Sequence, residues 1–163
     1  MCSKMNPRAV FRLNMLLGSV SSCVAAGLLV EPALRTLDSR IALLWLIAPH
    51  MFFRFIGLSF LVPGVVSESL PKEWAAPAAY GDLIAGILAI VATVALAERA
   101  GWAEVVVWGF NVVGAADLLF AFFKAARVRL KPESLGASYF IVTAIVPSLL
   151  VSHALVFIVL TRL

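Results

Sequence analysis

Six polar residues interrupt otherwise apolar stretches of this chain: His50, Arg54, Asp82, Asn111, Asp117 and His153. Imidazoles, carboxylates and a guanidinium in apolar surroundings can move protons, hold an ion or ligand, or ligate an iron centre, so any chemistry should rest on this set. His50 and Arg54 are four residues apart and share one helical face. Arg54 is expected to pair with Asp117, with Asp82 as the other candidate partner. Such a pair either organises helix packing or forms a site that changes protonation or accepts a ligand, and both readings stay open. Arg54, Asp82, Asn111 and Asp117 are taken as the polar centre or ligand-binding set.

His50 and His153 lie on different stretches at similar estimated depth, which permits axial ligation of a b-type haem as a cofactor. The plainer reading of each imidazole is a hydrogen bond to a neighbouring helix. No metal site is assigned, because helical rise separates Asp117 from the imidazoles by about 7 Å or more. No catalytic residue is assigned either. The chain has no G-x-S-x-G elbow, Walker loop, H-E-x-x-H or G-x-G-x-x-G, and neither Ser148 nor Ser152 is well placed to face His153 on a helix. The sequence leans away from an enzyme.

The elements that must position these residues are membrane helices. Of 163 residues, 63% are hydrophobic and 13% charged, whereas a soluble domain carries roughly 25% charged residues. The mean hydropathy of +1.03 points the same way. A span of hydrocarbon needs about 20 residues of helix, and five stretches qualify: about 11–30, 41–65, 79–97, 104–123 and 135–160. Barrel alternation is absent, and in hydrocarbon the backbone must satisfy itself. The expected fold is therefore all-α, a polytopic transmembrane helical bundle forming a single domain over 1–163. Glu31-Pro32 is expected to end the first span, and Asp82 to fall in the first turn of the third. Pro49, Pro63 and Pro147 interrupt the second and fifth spans.

The first span has a rival reading. Its basic start and small residues around Val24-Ala25-Ala26 resemble a cleavable signal, and Val20-Ser21-Ser22-Cys23 resembles a lipoprotein box, which would leave four spans. A disulfide between Cys2 and Cys23 is not expected.

The net charge of +4 forms no basic face for nucleic acid. Instead the cations mark topology. A cytoplasmic N-terminus puts Lys4, Arg8, Arg12, Lys72, Lys124, Arg127, Arg129 and Lys131 inside, and Arg35, Arg40, Arg99 and Arg162 outside, eight against four. The expected location is a bacterial cytoplasmic membrane, with the lipid bilayer as the partner. Small residues recur at four-residue spacing in Gly18, Ser22 and Ala26, and again in Gly81, Ala85, Ala89 and Thr93, which suits close packing within one subunit or a homo-oligomer contact. In size and helical hairpins the chain is similar to small bacterial membrane families, the four-helix DoxX-like proteins among them, without a motif that assigns it to one. The leading expectation is a small oligomeric transporter or proton-linked permeation unit; the others are a haem-binding redox protein and a non-catalytic scaffold or assembly factor.

Overall fold

The structure, a computed structural model, describes residues 6–162, so Cys2 and Lys4 lie outside the described residues. Five helices in it are long and apolar enough to cross a membrane: α1 (Pro7–Leu34), α2 (Ser39–Leu61), α3 (Lys72–Ala97), α4 (Ala103–Arg127) and α5 (Ile141–Leu160). No strand occurs among the described residues.

Local chemistry accounts for the ends. The side chain of Asn6 accepts from Arg8 N at 3.0 Å, with Pro7 in the first turn of α1 where its missing N–H costs nothing. Asp38 caps α2 in the same way, accepting from Arg40 N at 3.0 Å. α3 and α4 both end in a left-handed residue, Arg99 with φ 53° and Arg129 with φ 52°. Behind them Ala100 N donates to Ala95 O and Leu130 N to Ala125 O, each at 3.0 Å, the six-residue closure of a Schellman motif. Glycine is the usual occupant of that position; here it is arginine twice.

Four boundaries differ from the sequence expectation. Glu31-Pro32 does not end α1, which runs on to Leu34 through a π turn over Ala26–Val30. The wider turn lets Glu31 N reach Ala26 O, so the chain passes the proline without the bond Pro32 cannot make. The same device precedes Pro147, where a π turn over Ile141–Ile145 ends with Val146 N bonded to Ile141 O. α5 is Ile141–Leu160, preceded by the 3-10 segment Pro132–Ser138, which is itself kinked at Gly136 (φ 53°, ψ −132°). α3 starts at Lys72, seven residues before the expected Ala79, and Pro77 is carried inside it. Asp82 therefore lies about 15 Å along α3 rather than in its first turn. Pro63 falls in the loop after α2, not within it.

The interior combines large side chains such as Leu43, Ile47 and Phe110 with a run of alanines along α3, and other large apolar side chains face outward. Ala79, Ala85, Ala89 and Ala92 are fully buried, while Trp45, Phe52, Val105, Phe123 and Phe140 stand outward. α1 packs at the edge of the bundle against α5. Gly18 faces the Thr143 carbonyl so closely that a Cβ would overlap it, and Ser22 Oγ meets Ser148 Oγ at 3.0 Å. The Gly18, Ser22 and Ala26 stripe thus packs within one chain. At the end of the bundle near Arg8, two loops are tied together by Ala137 N to Val65 O at 2.9 Å and Ser67 N to Ser134 O at 3.1 Å.

This seam is testable. With the native cysteines replaced by serine, Ser22→Cys combined with Ser148→Cys is expected to form an intramolecular disulfide, read as a mobility shift on a non-reducing gel. Adding Gly18→Leu should wedge α1 off α5 and suppress it.

Candidate functional site

Arg54 stands where α2 tightens from α-helix into the 3-10 segment Phe55–Leu61. Its side chain is completely buried, and it bonds to all three of the helices that close around it. Nη1 donates to Asp82 Oδ1 on α3 at 2.7 Å and to Asp117 Oδ2 on α4 at 3.0 Å. Nη2 donates to the carbonyl of Gly114 on α4 at 2.7 Å and to Nε2 of His153 on α5 at 2.8 Å. The expected pairing of Arg54 with either Asp117 or Asp82 is thus a shared bond to both.

A guanidinium has no acceptor, so His153 Nε2 must accept from it and the ring proton sits on Nδ1. That proton is donated to Asn111 Oδ1 at 2.6 Å, and Asn111 Nδ2 donates back to the His153 carbonyl at 3.1 Å. Asp82, Asp117, His153 and Asn111 are therefore one hydrogen-bonded network joined through Arg54. With Asp82 and Asp117 both ionised, two negative charges face one guanidinium. The centre is electrically neutral only when it holds one more positive charge.

Glycines make this packing possible. A Cβ on Gly57 would overlap the Asp82 carboxylate, and one on Gly81 the Asp117 carboxylate. One on Gly114 would lie 2.6 Å from His153 Cε1 and 3.1 Å from Arg54 Nη2. Sequence reasoning noted Gly81 only as part of a small-residue stripe and passed over Gly57 and Gly114. A signal was present: each charged residue of the centre has a glycine within three positions, Arg54 with Gly57, Asp82 with Gly81 and Asp117 with Gly114.

His50 differs from the rest. It is fully buried one turn before Arg54, yet neither ring nitrogen has a hydrogen-bond partner among the described residues. Its ring lies 4.4 Å from that of His153 and 5.1 Å from that of Phe110. This geometry does not fit the haem considered for the two histidines. The rings are in contact with no room between them for a macrocycle, and both nitrogens of His153 are already bonded. Among the described residues no group of three or more His, Cys, Asp or Glu is placed to hold a metal. Ser152 serves packing, donating to Leu46 O at 2.9 Å near the Pro49 interruption.

Asp117 is the member nearest the outside, its side chain 13% exposed against 9% for Asp82 and 0% for Arg54. Both carboxylates line a small cavity of about 30 Å³, otherwise walled by apolar residues such as Phe60, Trp74, Leu118 and Val142. A water needs only about 10–15 Å³ of such space. The cavity lies on the side of the network toward the Arg8 end of the bundle, with Trp74 Nε1 bonded to Ala121 O at 3.0 Å beside it.

The chain belongs to the family described as Domain of unknown function (DUF8737), whose match covers residues 10–161 and so includes every residue of the polar centre. No curated protein and no solved structure matches the chain.

Removing the cation alone should be worse than removing the whole set. Arg54→Met leaves two buried carboxylates facing each other, an expected loss of about 3–5 kcal/mol in a detergent unfolding titration. Combining it with Asp82→Asn and Asp117→Asn should recover part of that loss. Gly81→Ala, which pushes a methyl into Asp117, is expected to cost about 1–3 kcal/mol in the same titration.

Proposed function

Starting from a family match that takes in all of the buried network, we propose that this chain is an integral membrane protein of a bacterial cytoplasmic membrane that exchanges a proton at Asp82 and Asp117. It would act as a small, oligomeric, proton-linked permeation unit. Membrane insertion is supported by five span-length helices that leave large apolar side chains such as Trp45, Phe52, Val105, Phe123 and Phe140 turned outward. A cytoplasmic N-terminus is supported by the cation count at the two ends of the bundle. An oligomer is supported by the limited interior of five helices and by the exposed edge of α1 at Leu13, Leu16, Leu17 and Val20.

The observation that carries the reading is that one guanidinium serves two carboxylates. Even one uncompensated charge at mid-span costs about 2.5–3.5 kcal/mol on insertion scales. A proton taken up by Asp117 removes that excess and leaves Arg54 paired with Asp82. Release of the proton restores the shared arrangement. The cavity beside Asp117 offers water a place from which the proton comes on the cytoplasmic side. On the far side, His153, Asn111 and the unpartnered imidazole of His50 continue the polar line toward the outer face.

Reconstitution tests this directly. Liposomes holding the purified chain and an internal pH dye are expected to acidify under an imposed inside-negative potential faster than empty liposomes. Asp117→Asn should abolish the difference while eluting from a sizing column like the wild type. Equal flux in wild type and variant, or none in either, would sink the reading and leave the network as a packing device.

A further inference from the structure

Next to the polar centre, but outside it, a groove of about 570 Å³ opens between α1 and the end of α4. Three arginines line it: Arg8 and Arg12, one turn apart on α1, and Arg129, just past the end of α4. None of the three forms an ion pair among the described residues, and no Asp or Glu lines the groove. Its other walls are apolar, with Phe11 and Met15 on one side and Phe122 and Leu130 on the other. The arginines sit at the bundle end, and the apolar wall runs inward from them, Met15 lying about 10 Å along α1 from Arg8.

We infer that this groove binds an anionic phospholipid, its phosphate held by Arg8, Arg12 and Arg129 and its acyl chain laid along the α1 wall. Guanidinium forks match phosphate oxygens. A volume of this size falls in the range of small-molecule sites, roughly 300–1,000 Å³. The combination of a cationic mouth with an apolar wall is complementary to an amphiphile rather than to a free ion. Three walls of the groove, Phe122, Ala125 and Val142, also wall the cavity beside Asp117, so the bound lipid lies against the partition between the polar centre and the bilayer. The inference rests on the membrane part of the proposed function and not on proton exchange.

The test uses the full chain in mild detergent with phosphatidylglycerol and phosphatidylcholine in competition, counting bound lipids by native mass spectrometry. Phosphatidylglycerol is expected to be retained preferentially. A juxtamembrane arginine contributes about fivefold, so Arg12→Gln and Arg129→Gln should each lower the preference by about that factor, while Arg35→Gln and Arg99→Gln at the opposite end leave it unchanged. Arg129→Gly should lose the same preference with thermal stability kept or raised, which separates binding from folding. Equal retention of the two lipids, or no response to the groove substitutions, overturns the proposal. Displacement of phosphatidylglycerol by millimolar inorganic phosphate overturns it in favour of a free-phosphate site. Release of the chain from membranes by alkaline carbonate would defeat the membrane reading itself, whereas an inserted chain indifferent to headgroup defeats only the lipid site.

Discussion

A guanidinium with no exposed surface is the costliest group in this molecule, and the arrangement of the other helices follows from compensating it. Arg54 draws Asp82, Gly114, Asp117 and His153 from three helices onto one side chain. The helices can come that near only because the backbone beside each carboxylate lacks a Cβ, at Gly57 and Gly81. The alanines along α3 extend the same close approach toward the far end of the bundle. Polar compensation at the centre and small residues around it are two parts of one solution.

Backbone polarity imposes a second constraint. At two of its prolines the chain keeps its direction through a π turn, before Glu31-Pro32 and again before Val146-Pro147. Where helices end, the last carbonyls are closed by Schellman bonds around Arg99 and Arg129. Both devices keep backbone groups paired inside the chain, as an apolar surrounding demands. Placing arginine at the two left-handed positions also leaves a cation at opposite ends of the bundle, where lipid headgroups or water would meet it.

The excess of carboxylate over cation gives the network its chemical character. A pair with matched charges would be a structural clasp. Two carboxylates on one guanidinium form a set with two charge states that differ by one proton, and both carboxylates border a small cavity. Among the described residues His50 is buried without a bond to either nitrogen, and Nε of Arg54 is likewise left without a partner. The 4.4 Å contact between the His50 and His153 rings leaves no room between them for a haem.

Much of this was legible in the residues themselves. Hydropathy and span length marked five helices, charge placement marked the basic end, and the rarity of ionisable groups in apolar stretches named Arg54, Asp82, Asn111, Asp117, His50 and His153, because each of these signals is carried by composition within a single stretch of chain. What only the tertiary structure decided is which groups meet: that Arg54 is shared rather than paired, that Gly57, Gly81 and Gly114 make room for it, and that α3 begins early enough to bring Asp82 level with it. Those outcomes depend on where side chains and missing Cβ atoms face one another across helices distant in sequence, and helical periodicity gives the direction of a residue on its own helix but not its neighbour on the next.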